Sequence, residues 1–281
     1  MNDIEKGLYI VSTPIGNLDD LSLRAQNTLE KVDFIICENP KHSLKLLNKF
    51  GIKKKLFSLH DYNEENLIKK IKKYQYNSSI ALISDAGSPL ISDPGYNLVR
   101  NFIDKDIFVT SVPGSNSIIP SLQLSGLAIN TFIFFGFVPK NKKSSDMLIK
   151  KAIELNMTSV FLISGKKIKE ALSSIRNLSK NRDVVLCKEL TKVNENIYRG
   201  KVDQIIQNIS NKIINLKGEF TLIVGAEKHK PKENLPNKDL DIQISKLLKK
   251  YSLTETVQIV HKLSNISKKQ IYNLALKNKN E

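Results

Sequence analysis

Ile80-Ala81-Leu82-Ile83-Ser84, followed by Asp85-Ala86-Gly87-Ser88-Pro89-Leu90-Ile91-Ser92-Asp93-Pro94-Gly95, carries the first decision about the fold. A short apolar run bounded by Ser, Asp, Gly and Pro reads as a buried strand ending in a turn-rich loop. Residues 96–103 then return to the apolar spacing of a helix. The same unit of strand, loop and helix recurs on either side. Residues 8–13, 34–37 and 108–112 read as further buried strands, and residues 21–29, 44–50 and 67–74 as helices. Such alternation predicts a parallel sheet with helices on both faces.

Working outward, Pro113-Gly114 leads to a helix at 116–124, and Ser125-Gly126-Leu127 opens a second alternating set. Its expected strands are 132–136, 159–163, 183–188 and 220–224, with a short edge strand at 196–199, and its helices are 146–155, 168–178 and 202–214. Residues 228–238 are polar, contain Pro231 and Pro236, and read as a linker. Three helical patterns follow at 240–250, 254–263 and 268–276, with Ser267 as N-cap of the last. The chain is therefore expected to form an N-terminal α/β lobe (1–120), a C-terminal α/β lobe (121–228) and a small helical domain (239–281). From residue 228 onward 12 lysines face 5 acids, a net of +7, so the helical domain either touches RNA or docks on the second lobe.

Composition narrows the class. With 281 residues and 41% hydrophobic content the chain exceeds one small core. No apolar run approaches the roughly 20 residues a membrane helix requires. The opening Met1-Asn2-Asp3-Ile4-Glu5 is unlike a secretory signal, so a cytoplasmic protein without membrane contact is expected. Cys37 and Cys187 each fall in a strand-like run and share no metal spacing, as expected of buried thiols in a reducing compartment. The net charge of +16 permits a nucleic-acid partner. It does not require one, because only Arg24, Arg100, Arg176, Arg182 and Arg199 are arginine and lysine is also the common solvated surface residue.

In doubly wound sheets ligands bind beyond the carboxyl ends of the strands. Here those segments are rich in Gly, Pro, Ser and Asp: Ser12-Thr13-Pro14-Ile15-Gly16-Asn17, Glu38-Asn39-Pro40-Lys41-His42-Ser43, the 84–95 loop, and Pro113-Gly114-Ser115-Asn116-Ser117. Any one of them reads as an ordinary turn; four at consecutive strand ends point to a ligand. No dinucleotide or P-loop glycine pattern is present, and His42, His60, His229 and His261 make no metal spacing, so no metal is expected. A serine nucleophile elbow is also missing.

Three of these segments, Thr13-Pro14-Ile15-Gly16-Asn17-Leu18, residues 84–96 and Pro113-Gly114-Ser115, resemble the ribosomal RNA small subunit methyltransferase I family. The resemblance runs over about residues 7–228, with a weaker echo in the tail. It implies the tetrapyrrole-methylase (class III methyltransferase) fold, an α/β architecture of two lobes with S-adenosyl-L-methionine in the cleft between them, in a homodimer. The implied reaction is methylation of a cytidine ribose 2'-hydroxyl in the decoding region of 16S ribosomal RNA, with the small ribosomal subunit as partner. Carried over by motif, Asp85, Ala86, Gly87 and Pro89 would line the cofactor together with Gly114, Asn116 and Ser117, beside a wall of Thr13, Pro14, Gly16 and Asn17. Leu162, Gly218 and Phe220 would approach it from the second lobe, and Glu189, Thr191 and Arg199 would lie near the cleft.

Two segments depart from the family pattern. Where the family has Glu-Asp-Thr-Arg-His-Thr this chain has Glu38-Asn39-Pro40-Lys41-His42-Ser43, and where it has Glu-Ser-Pro-His-Arg this chain has Ile163-Ser164-Gly165-Lys166-Lys167. Exchanging Arg for Lys gives up bidentate phosphate contact. A ribose hydroxyl must lose its proton during attack, and His42, near a helix N-terminus that favours neutral imidazole, is the expected base. Glu38 would orient it, bind a ribose hydroxyl or cap nearby amides, and Lys41 would meet phosphate or solvent. Two other readings share these features. One is an enzyme of the same fold methylating a tetrapyrrole or a protein; the other is a non-catalytic RNA-binding assembly factor.

Overall fold

A computed structural model describes residues 4–227, 238–264 and 266–280, which form two compact units. The larger unit contains both sheets. Its first sheet comprises β1 (Gly7–Val11), β2 (Phe34–Cys37), β3 (Lys55–Ser58), β4 (Ser79–Ile83) and β5 (Val109–Val112), all parallel, in the order β3-β2-β4-β1-β5.

Successive side chains of a strand point to opposite faces, so a sheet covered on both faces needs apolar residues at every position. Leu8, Phe34, Ile36, Ile80 and Leu82 face Leu67 and Ile71 of α3 (Glu64–Ile71) and Leu98 and Phe102 of α4 (Tyr96–Ile103). Their neighbours Val11, Ile35, Cys37, Ala81 and Ile83 face Ala25 and Leu29 of α1 (Leu23–Lys31) and Leu47 of α2 (Pro40–Lys49). Fully burying a side chain of this size stabilises by roughly 1.5–3 kcal/mol. β3 departs from the sequence reading, which placed no strand there. It has four residues with only Leu56 and Phe57 apolar, and it lies at the edge, where half-burial suffices.

After α5 (Ile118–Ser125) comes the second sheet: β6 (Phe132–Phe137), β7 (Thr158–Ser164), β8 (Asp183–Lys188), β9 (Asn196–Lys201) and β10 (Glu219–Val224). The order is β6-β7-β10-β8-β9; β6 and β7 are parallel, while β10 runs against both β7 and β8, and β9 against β8. The short edge strand expected at 196–199 is β9. One face packs on α6 (Lys142–Leu155), α7 (Gly165–Leu178) and α8 (Val202–Ser210), through residues such as Ile149, Leu172 and Ile205. Against the opposite face lie Ile118 and Leu122 of α5 and Ile15 from the loop after β1, on Val160, Val185, Cys187 and Ile223. Ile15 thus joins the carboxyl edge of the first sheet to the second sheet. Both cysteines are buried free thiols, as the sequence suggested.

The smaller unit holds α9 (Lys238–Leu248), α10 (Leu253–Leu263) and α11 (Lys268–Asn280) around Ile244, Val257, Val260, Ile271 and Ala275. α10 starts with a capping box between Ser252 and Glu255. Ser267 Oγ accepts the Gln270 amide at 3.4 Å and lies 2.8 Å from Gln270 Oε1, consistent with its expected N-cap place. Residues 228–237 of the expected linker lie outside the described residues; Lys238 begins α9.

Candidate active site

Beyond β4 the chain is held by backbone pairing that its sequence permits at few residue types. Thr13 and Gly87 exchange amide-to-carbonyl hydrogen bonds of 2.8 and 2.9 Å, which fixes the 84–95 loop to the loop after β1. Gly87 has φ +81°, and a Cβ there would stand 3.3 Å from Ile15 Cγ2. Thr13 Oγ1 donates to the Ser84 carbonyl at 3.2 Å, and Ser84 Oγ donates to the Ala86 and Gly87 carbonyls at 3.3 Å. Leu90 (φ +72°) and Ser92 (φ +69°) are also left-handed without being glycine. Each such residue costs on the order of 1–3 kcal/mol and persists only where its surroundings enforce it.

This loop forms one side of a cavity of about 400 Å³, within the roughly 300–1,000 Å³ of small-molecule sites. Ile15, Asp85, Ala86, Gly87, Ile91, Asp93, Asn116, Ser117 and Ile118 line it from the first sheet's side. Phe137, Leu162, Ile163, Cys187, Glu189, Leu190, Gly218, Glu219 and Phe220 line it from the second. The wall is mainly apolar yet holds Asp85, Asp93, Glu189 and Glu219, with no lysine or arginine among the lining residues. In a chain of net charge +16 this is a local reversal of sign.

The four carboxylates are not equivalent. Glu189 accepts the Glu219 amide at 2.6 Å and Lys192 Nζ at 3.4 Å, and the amide above all holds its carboxyl below the usual range. The close approach needs Gly218, at φ +112°, because a Cβ there would fall 2.7 Å from Glu189 Oε1. Glu219 itself accepts Lys192 Nζ at 2.7 Å. Asp85 Oδ1 accepts the Asn39 amide at 3.2 Å. Asp93 is pushed up to about 6, chiefly by burial, then by the charges of Glu38 and Asp85, with the Ser84 hydroxyl pulling the other way. Glu38, half-buried at the end of β2, is raised by burial and then by Asp85.

Residues 7–206 match the tetrapyrrole (corrin/porphyrin) methylase family. The chain is 36% identical over 282 residues to the ribosomal RNA small subunit methyltransferase I of Rickettsia prowazekii, covering 98% of both chains. It is 40% identical over 233 residues to that of Halalkalibacterium halodurans, covering 82% of this chain and 80% of the other. The chain belongs to the ribosomal RNA small subunit methyltransferase I family. Its architecture is that of the tetrapyrrole methylases: the solved cobalt precorrin-4 methyltransferase superposes with a TM-score of 0.56 at 15% identity, covering 78% of this chain and 95% of that one. That likeness concerns the fold alone.

Within this methyltransferase the cavity wall contains Asp85, Ala86, Gly87, Asn116, Ser117, Leu162, Gly218 and Phe220 from the sequence expectation. Thr13, Pro14, Gly16, Asn17, Pro89 and Gly114 are not among its lining residues. Several of them support the wall from behind. Thr13 pins Gly87, Gly114 packs on Ser12, and Asn17 caps the short 3-10 turn Leu18–Asp20. Gly16 abuts Thr191 and Lys192, where a Cβ would lie 2.4 Å from Lys192 Cγ.

Glu189 lines the cavity as expected, whereas Arg199 instead donates to the Leu124 carbonyl through Nε at 2.8 Å. Glu38, Lys41 and His42 do not line it either. Asn39 caps α2 through the Lys41 amide and Pro40 opens the helix, so Lys41 and His42 are exposed on its first turn. Asp93, Phe137, Cys187 and Leu190 were not expected as site residues; only Asp93 carried a signal, its place in the Ser92-Asp93-Pro94-Gly95 turn. Among the described residues no group of three or more His, Cys, Asp or Glu could hold a metal ion, and no helix is long and apolar enough to cross a membrane.

Proposed function

We propose that this methyltransferase moves a methyl group from S-adenosyl-L-methionine to the ribose 2'-hydroxyl of a cytidine in the decoding region of 16S ribosomal RNA, within the small ribosomal subunit. The carrying observation is the cavity, which is apolar over most of its wall, acidic at its charged points and free of cationic lining residues. These residues fit the cofactor. Ile15, Ile118, Leu162 and Leu190 offer apolar contact for an adenine ring and a thioether chain, and the carboxylates complement a sulfonium and an ammonium. When bound, the cofactor supplies an electrophilic methyl group. The protein's tasks are to orient the ribose oxygen towards it and to exclude water.

Gly87 and Gly218 hold left-handed turns of the wall where a Cβ would meet Ile15 and Glu189, and Asp85, tied to Asn39, joins the cofactor wall to the loop after β2. We assign Lys41 and His42 to the RNA side of that junction, where exposed side chains on the first turn of α2 meet phosphate or ribose. Glu38 belongs to the acidic end of the cavity through its charge on Asp93. A homodimer is the working form that the family resemblance implies.

Purified chain, tritiated S-adenosyl-L-methionine and small subunits lacking the modification test the reading. Label should enter the ribosomal RNA and fail to enter subunits already methylated at the target ribose. Label in a subunit protein, or in a tetrapyrrole alone, would replace the substrate with that of a same-fold relative. RNA binding with no cofactor binding would leave only an assembly factor.

A further inference from the structure

We infer that Asp93 is the catalytic base, the group that takes the proton from the attacking ribose hydroxyl. This rests on the reaction proposed above and adds the residue that the sequence had sought in His42. Four carboxylates line the cavity, and three are engaged by N–H donors: Asp85 by the Asn39 amide, Glu189 by the Glu219 amide and Lys192, Glu219 by Lys192. Among the described residues Asp93 alone of the four has no N–H partner; its neighbours are the Ser84 hydroxyl and the charges of Glu38 and Asp85. A carboxylate held by amides is a poor proton acceptor, whereas one crowded by like charge in a dry site holds a proton more tightly.

The backbone of both carboxylate-bearing loops of the cavity is strained. Asp93 directly follows Ser92, one of two non-glycine residues in left-handed conformation within three positions, and Gly95 at φ +128° then starts α4. Glu189 (φ +48°) and Thr191 (φ +65°) are left-handed at the opposite wall as well, but there the carboxyl is held by the Glu219 amide, whereas the enforced geometry at Ser92 precedes a carboxyl with no N–H partner among the described residues. His42 offers no equivalent, being exposed and outside the wall.

The step balances without a further reactant. An electron pair of the ribose oxygen forms the bond to the methyl carbon, and the carbon–sulfur bond breaks with its pair remaining on sulfur, which becomes a neutral thioether. The hydroxyl proton passes to a carboxylate oxygen of Asp93 and later to water. Only ionised Asp93 can accept it, so methyl transfer rises with pH through the Asp93 titration and is flat above it. In the free chain Asp93 is pushed up to about 6, and a bound sulfonium favours its ionised form.

The test uses the full chain and Asp93→Asn. Single-turnover transfer to unmethylated small subunits should fall by roughly 100-fold or more, the usual share of a general base. The pH inflection should vanish, Asp93→Glu should restore part of the rate, and calorimetric cofactor affinity should change by far less than the rate. Carbon-13 NMR of the Asp93 carboxyl in the unaltered free chain should show a titration near pH 6 that moves down in Glu38→Gln. That readout needs neither turnover nor a folded Asp93 variant. Transfer by Asp93→Asn close to the wild-type rate, or an Asp93 titration in the ordinary range of about 4, would overturn the assignment. A wild-type chain inactive on subunits would instead remove the reaction itself, and the proposal with it, whatever the NMR shows.

Discussion

The loops after β4 and after β2 leave neighbouring parallel strands and are linked by the Asn39 amide on Asp85, yet they are built on opposite terms. The 84–95 loop is fixed by backbone pairing to Thr13, by left-handed turns and by a glycine at φ +81° whose Cβ would crowd Ile15, and it lines the cavity. The 38–43 loop starts a helix, and beyond the half-buried Glu38 and Pro40 and the buried Ser43 it exposes Asn39, Lys41 and His42. Where backbone geometry makes the site, residue identity is constrained and the motif is legible. Where exposed side chains make it, several sequences serve, and the departures of residues 39–41 from the family pattern are of that kind.

This contrast can be broken most easily at Gly87. Gly87→Val would force a β-branched residue into φ +81° with its Cβ against Ile15, and cofactor binding measured by calorimetry should be lost. Near-normal affinity would show that backbone shape does not make the wall. A smaller effect is expected across the junction. Lys41→Ala and His42→Ala should each raise the subunit concentration needed for half-maximal rate several-fold, with a lesser effect on the rate at saturation. If His42→Ala instead lowers the saturated rate as far as Asp93→Asn does, the two loops do not divide cofactor and substrate as described. The smallest change is expected from Asn39→Ala, which removes the N-cap of α2 and should cost about 1 kcal/mol in denaturant unfolding.

The same distinction explains what the sequence disclosed. Apolar runs at β1, β2 and β4 need two covered faces, so a parallel sheet was readable from their composition. β3 was not, because an edge strand can be short and half-buried. The direction of β10 was equally hidden: a buried strand looks alike whichever way it runs, and only pairing with β7 and β8 sets it antiparallel. Within the site, Asp85 to Gly87 stood out by their turn chemistry, whereas Cys187 read as a buried thiol and Phe137 and Leu190 carried no turn motif of their own. Asp93 was visible as a turn residue but not as a base, since its raised affinity for a proton comes from burial and from Glu38, a residue in the loop after another strand.

Mass-spectrometric mapping of 16S ribosomal RNA from small subunits incubated with the purified chain and S-adenosyl-L-methionine tests the central claim most directly. The account predicts one new methyl group, on the ribose of a single decoding-region cytidine, that is absent when Gly87→Val replaces the wild type. A methyl group on a base, on a protein, or nowhere in the subunit would contradict it.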